Sequence, residues 1–194
     1  METTSEKMKS IGAVIILWLM MQWEDIKDIA KTVIVTFIVC TVVTTWLFKP
    51  VVVSGRSMHP TIKDGSIGFS SVIKKNMQGI ERFDIVIVRL DLKDEDLIKR
   101  VVGLPGETVV FENDRLYIDG KEYTQDFLDK NYVAGYDIFT NDFQVKLAEN
   151  EYFCMGDNRP ISADSRVYGP FTRDKIEACG LFVIYPFNEF GVKD

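Results

Sequence analysis

Apolar and polar positions fall into two regimes along this chain. Residues 32–48 read TVIVTFIVCTVVTTWLF, without a charge and bracketed by Lys31 and Lys49. At about 1.5 Å per residue, a helix through this run approaches the ~30 Å hydrocarbon core of a bilayer once Ile29 and Ala30 extend it and Lys31 snorkels. The pattern predicts a transmembrane helix over 29–48, with Trp46 near one end, where interfacial aromatics collect. A buried core helix or a hydrophobic strand is the competing reading, given the many β-branched residues. The earlier apolar stretch, residues 11–23, is short for a span and reads as interfacial. Residues 1–28 are therefore expected to form a cytoplasmic or interfacial segment. Gln22-Trp23-Glu24-Asp25 follows that stretch, so no small-residue cleavage site marks it for removal.

Beyond Lys49 the pattern changes. Short β-branched runs at 50–53, 84–90, 98–102, 108–111, 116–118 and 181–185 alternate with turn signals such as Lys63-Asp64-Gly65, Pro105-Gly106 and Asp119-Gly120. Helical periodicity is weak, with one short candidate near 172–176. Residues 49–194 thus predict a mostly β domain, in which 107–150 read as a hairpin-rich insertion.

Composition sharpens the division. The chain has 194 residues, suggesting one domain plus an appendage. The mean hydropathy of +0.02 is high for a soluble protein and fits a concentrated apolar run. Five basic and five acidic residues balance within 1–49, so the net charge of −6 falls on the body. No basic stripe emerges, which argues against a nucleic-acid partner. Lys7, Lys9, Lys27 and Lys31 precede the expected span and should stay cytoplasmic, placing the body outside a single-pass anchor. One histidine, His59, and three scattered cysteines, Cys40, Cys154 and Cys179, supply neither a multi-histidine zinc site nor a zinc ribbon. No metal or cofactor is expected. Cys154 and Cys179 would pair outside the cell only if they sat on neighbouring strands; buried small hydrophobes are the alternative.

Four clusters carry candidate chemistry. Ser54-Gly55-Arg56-Ser57-Met58-His59-Pro60-Thr61 follows a strand-like VVV and offers Ser57 as a nucleophile, although a serine in such a turn is ordinary turn chemistry. In the run from Asp96 to Glu107, strand alternation places Lys99 with Leu97 and Val101, and Arg100 with Ile98 and Val102. A lysine among apolar neighbours either snorkels from an edge strand or is buried, and burial lowers its pKa toward that of a usable base. The run from Cys154 to Pro170 is dense in hydrogen-bonding residues, with opposite charges at short spacing: Asp157 with Arg159, Asp164 with Arg166. The fourth cluster, Arg82-Phe83-Asp84-Ile85-Val86-Ile87-Val88, reads by itself as a core strand.

In this order, behind an N-terminal apolar run, SGRSMHPT, RFDIVIV, IKRVVGLPGE and MGDNRPISADSRVYG resemble the type I signal peptidases over roughly residues 30–187. The match is closest to Gram-positive-like members of that family of membrane-bound serine proteases. The resemblance implies an antiparallel, barrel-like β catalytic domain against the outer membrane face. It also implies a Ser–Lys dyad, with Ser57 as nucleophile and Lys99 as general base, that removes signal peptides from secretory preproteins after a small-x-small end. Ser162 falls on the serine that holds the lysine amine. Asp157, Asp164 and Arg166 fall on the structural acid–arginine residues, and Arg100 is grouped with them. Ser57 and Met58 fall where the oxyanion and substrate are met. The implied partners are preproteins, membrane lipid and the export translocon. Two positions depart from the pattern. Some members have a serine two places before the nucleophile, where this chain has Gly55, and the strand motif usually opens Gly-Asp, where this chain has Phe83-Asp84. Two other classes compete: a self-cleaving repressor-type Ser–Lys peptidase, which would carry a DNA-binding module, and a catalytically silent, membrane-tethered β module that binds exported peptides.

Overall fold

The computed structural model describes residues 4–128 and 139–193, which divide into two units, one up to Val43 and one from Thr44.

The first unit is a helix, α1 (Thr4–Val42), running without interruption through the 11–23 stretch. Two threonines tolerate its interior because their hydroxyls donate to carbonyls one turn back: Thr32 to Asp28 at 2.9 Å and Thr41 to Phe37 at 2.8 Å. Lys31 pairs with Asp28 at 3.0 Å. Ile29, Val33, Ile34, Val35, Phe37, Ile38, Val39 and Val42 are all exposed, so the helix shows apolar side chains all round rather than on one stripe. Against the helix expected over 29–48, the observed helical backbone begins far earlier, at Thr4, and ends within one residue of the expected place. After Val42 the chain makes a π-helical turn (Val43–Leu47), and Phe48 already belongs to a strand. Pro50 drives Lys49 into extended backbone. Among the described residues no helix is long and apolar enough to cross a membrane.

The second unit is mainly antiparallel β, as the strand pattern predicts. Its larger sheet runs in the order β1 (Phe48–Val52), β2 (Ile67–Ser71), β11 (Ile176–Tyr185), β3 (Ile85–Leu90), β4 (Glu95–Gly103), β9 (Glu151–Met155), β10 (Phe171–Thr172), with β12 (Gly191–Lys193) also pairing β11. The smaller sheet is β7 (Lys121–Tyr123), β6 (Arg115–Ile118), β5 (Thr108–Glu112), β8 (Phe143–Lys146). It lies within 107–150, of which 129–138 are outside the described residues. Asp119 and Gly120 both take positive φ at the β6–β7 turn, and Asp119 also accepts from Thr108 N–H at 2.9 Å.

Both faces of the central strands are covered. Val86 and Val88 of β3 enter one apolar cluster with Val101 and Cys154, while Ile85 enters another with Val53, Met58, Ile62 and Val183. Val102 of β4 joins a third, with Val109, Phe111 and Phe153 beneath the smaller sheet. Strands buried on both sides read as continuous apolar runs, which is why β3 stands out in the sequence, whereas β4 carries the charged pair Lys99 and Arg100 within its buried half. The helix expected near 172–176 is only a 3-10 turn (Arg173–Lys175) between β10 and β11. The one other described α-helical segment, α2 (Ser165–Tyr168), is a single turn capped by Asp164.

Candidate active site

The loop that leaves β1 is closed at its neck by Val53 N–H donating to Ser66 O at 2.8 Å and Gly65 N–H donating to Val53 O at 2.9 Å. Within it, Gly55 N–H donates to Asp64 Oδ1 at 2.8 Å, and Asp64 N–H donates to His59 Nε2 at 3.0 Å. The buried side chains of Met58 and Ile62 root the loop in the core. Gly55 has φ +95°, a conformation an L side chain adopts only under strain. The serine that some relatives carry there therefore does not suit this backbone.

Ser57 sits on that loop, and the sheet brings Lys99 to it. Lys99 lies in β4 opposite Val86 of β3 and is 2% exposed, so it does not snorkel. Its Nζ donates to Ser57 Oγ at 2.8 Å and to Ile98 O at 2.9 Å. Burial lowers its pKa to about 8; Asp164, Cys154 and Asp157 hold the value up, and Arg166 pushes it down. Arg100, the next residue along β4, has its guanidinium matched to a carboxylate.

That carboxylate is Asp157, and here the pairing expected with Arg159 is corrected. Arg100 Nε and NH2 grip Asp157 Oδ1 and Oδ2 at 2.9 and 2.8 Å, and both side chains are essentially inaccessible. The β4–β9 register sets Arg100 opposite Met155, two residues from Asp157, so sheet pairing decides the partner rather than sequence spacing. Thr61 Oγ1 adds a 2.6 Å hydrogen bond to Asp157, and Arg100 NH1 donates to Phe83 O at 2.8 Å. Phe83 has φ +72°, which explains why glycine suits that position in relatives. Arg159 instead donates from Nε to Gly156 O at 3.0 Å and from NH2 to Gln125 Oε1 at 2.6 Å, over the face of Phe111.

Asp164 and Arg166 do meet, at 2.8 Å between Oδ2 and NH2 and 2.9 Å between Oδ1 and Nε. Burial works against the Asp164 carboxylate, but Arg166 and a 3.0 Å bond from Gly156 N–H outweigh it and hold the carboxyl below its usual range. Ser162 is buried beside this pair. It is close enough to Asp164 to help hold that carboxyl low, yet among the described residues its Oγ falls short of hydrogen-bond geometry with any neighbour. The Lys99 amine is held by Ile98 O and Ser57 Oγ, not by Ser162. Gly156 allows the two loops to touch: a Cβ there would come within 2.2 Å of Ser162 Oγ and 2.4 Å of Ser57 O. Thr61, Gly156 and Asn158 lie inside the quoted motifs, but their contacts depend on how the loops meet, and sequence spacing does not show that.

Ser57, Met58 and Lys99 line a groove of about 190 Å³ whose other walls include Val51, Val53 and Ile98. At its rim Lys49 pairs with Asp96 at 2.7 Å and also with Glu177. Among the described residues no group of three His, Cys, Asp or Glu side chains is placed to hold a metal ion. Cys154 and Cys179 are buried free thiols, so the disulfide reading is set aside. Burial raises both pKa values; for Cys179, burial and then Asp84 push it up to about 12.

Residues 26–185 match the family model described as signal peptidase, peptidase S26. Signal peptidase I S of Bacillus subtilis (strain 168) is 39% identical over 172 residues, covering 86% of this chain and 92% of its own. Signal peptidase IB of Staphylococcus aureus is 33% identical over 172 residues, covering 82% and 89%. A crystal structure of a signal peptidase I from Enterococcus faecalis V583 is 35% identical, covers 52% of this chain and 95% of its own, and superposes with a TM-score of 0.49. With a family match spanning most of its length and relatives this similar, the chain belongs to the signal peptidase family, peptidase S26.

Proposed function

We propose that this peptidase removes N-terminal signal peptides from exported preproteins with a Ser57–Lys99 dyad. The observation that carries the reading is the 2.8 Å contact between Ser57 Oγ and a buried amine whose pKa burial has lowered to about 8. In its neutral form Lys99 accepts the Ser57 proton while Oγ attacks the scissile carbonyl carbon. The carbonyl electrons move to oxygen, where Ser57 N–H is the donor of first choice and Met58 borders the groove. As the intermediate collapses, Lys99 returns the proton to the leaving amine, and an ester remains on Ser57. Water then gives a proton to Lys99 and attacks the ester carbon, and as that intermediate collapses Ser57 Oγ leaves and takes the proton back from Lys99, restoring the serine and the neutral amine. Asp157 with Arg100 and Thr61, and Asp164 with Arg166, brace the loop that faces the nucleophile, and Ser162 sits between them. A groove of about 190 Å³ is smaller than the roughly 300 Å³ and above of drug-sized sites, which suits small side chains before the cut.

A single-pass anchor with the catalytic unit outside the cell belongs to the same proposal. Its support is the all-round apolar surface of α1 past Lys31 and, on the second unit, exposed Phe48, Val52, Phe182, Phe187 and Phe190. Lipid and the export translocon are then its neighbours. The test incubates the purified full chain in detergent with a preprotein and sequences the product's new N-terminus. Wild type should cleave after a small-x-small segment, Ser57→Ala and Lys99→Ala should not, and His59→Ala should retain activity. Cleavage by Lys99→Ala but not by His59→Ala would overturn the dyad, and no cleavage by wild type in any detergent would favour the silent β module. Reporter fusions after Trp23 and Lys49 test the topology.

A further inference from the structure

The groups that hold the nucleophile's peptide plane in place are separate from the dyad. Asn158, 5% exposed, reaches across from the 156–162 loop with two donors. Its Nδ2 donates to Arg56 O at 3.0 Å, and its backbone N–H donates to Ser57 O, also at 3.0 Å. Because the side-chain partner is a carbonyl oxygen, the amide must present its NH2 end there. Arg56 O and Ser57 N–H belong to one peptide group, and that group is trans. In a trans peptide the carbonyl and the N–H point in opposite directions. Holding Arg56 O toward Asn158 therefore turns Ser57 N–H away from the 156–162 loop, and among the described residues this N–H donates to no other group.

Asn158 is itself held firmly. Its own carbonyl accepts from Ile161 and Ser162 N–H at 3.2 and 3.0 Å. On one side Asp157 is gripped by Arg100 and Thr61, and on the other Arg159 is tied to Gly156 and Gln125. Gly55 supplies no side-chain donor, so transition-state charge on oxygen depends heavily on how well the Ser57 N–H is aimed.

We propose that Asn158 is a positioning residue for catalysis: it pins the Arg56–Ser57 peptide so that Ser57 N–H is preorganised as the oxyanion donor. The inference rests on the dyad reading above. It is tested with Asn158→Ala and Asn158→Asp in the full chain, beside wild type and Ser57→Ala, on a signal-peptide substrate. The alanine variant keeps the backbone bond to Ser57 O, and Arg56 O still accepts from His59 N–H at 3.2 Å. Its kcat should therefore fall about tenfold to a hundredfold, less than the ~10²–10³ that follows outright loss of an oxyanion donor. KM should stay within about twofold. The aspartate variant, which sets a carboxylate against Arg56 O, should fall at least as far.

Two further readouts separate aiming from general loosening. Affinity for a peptide boronate, whose adduct with Ser57 is tetrahedral, should weaken by the same factor as kcat/KM, while affinity for an uncleaved product peptide stays unchanged. The acid limb of the pH profile, set by Lys99, should not move. A kcat within threefold of wild type overturns the proposal. So does a parallel loss of product affinity, or a displaced acid limb, either of which would place Asn158 in loop folding or in the dyad. Failure of wild type to cleave would instead overturn the dyad reading itself.

Discussion

If Lys99 is the base, activity must follow its protonation, and the structure sets the pH at which that happens. The drop from an ordinary 10.5 to about 8 corresponds to about 3 kcal/mol of disfavoured charge. With a pKa near 8, about one enzyme in eleven carries a neutral Lys99 at pH 7, and about ten in eleven do at pH 9. An unperturbed lysine would be neutral in only about one molecule in three thousand at pH 7. Across that interval kcat/KM for a peptide spanning a signal-peptide junction should rise about tenfold, with unit slope below pH 8 and a plateau above it. The assay is initial rates of the detergent-solubilised full chain from pH 6 to 10. Stability follows the same group. Below pH 8 both folded and unfolded forms hold the proton, and the burial penalty is fully present. Between about 8 and 10.5 the unfolded chain holds more protons, so unfolding free energy should climb with pH, by up to about 3 kcal/mol. Lys99→Met should lose that climb. A rate profile flat from pH 7 to 9, or an acid limb that disappears in His59→Ala, would refute the reasoning.

Three other outcomes follow from the packing. Arg100→Met leaves the Asp157 carboxylate buried without its cation, and urea titration should show a loss of about 3–5 kcal/mol. Gly156→Ala forces a methyl toward Ser57 O and Ser162 Oγ; kcat should fall by at least tenfold while circular dichroism still reports the β fold, and unchanged turnover would contradict the close approach. Cys154 and Cys179 should resist an aromatic disulfide reagent at pH 8 until denaturant is added, since burial keeps both as thiols; prompt reaction of either in the native protein would show that the core around β9 and β11 opens.

The two departures from the family pattern are both backbone facts. Phe83 takes a positive φ that glycine would adopt freely, and it is held there by its N–H donating to Val101 O at 2.7 Å and by Arg100 NH1 on its carbonyl. Gly55 takes one that a serine would resist.

Period and composition alone were enough to separate the apolar N-terminal run from a β body, and to find β3, β4, β5 and β6. Strands covered on both faces, or alternating beside Asp-Gly turns, carry their signal locally. The four motifs likewise put Ser57 and Lys99 forward, because residue identity and order along the chain survive without coordinates. Tertiary structure decided the rest. β2 and β9 were illegible because Gly, Ser and polar neighbours dilute their pattern, and pairing with β11 and β4 makes them strands. Asp157 looked toward Arg159 in sequence and found Arg100 in space, since antiparallel register joins residues 57 positions apart. Whether Lys99 snorkels or is buried, and so whether it can be a base near pH 8, rests on the layers above and below β4. Burial is a property of the assembled sheet, and no local stretch of sequence contains it.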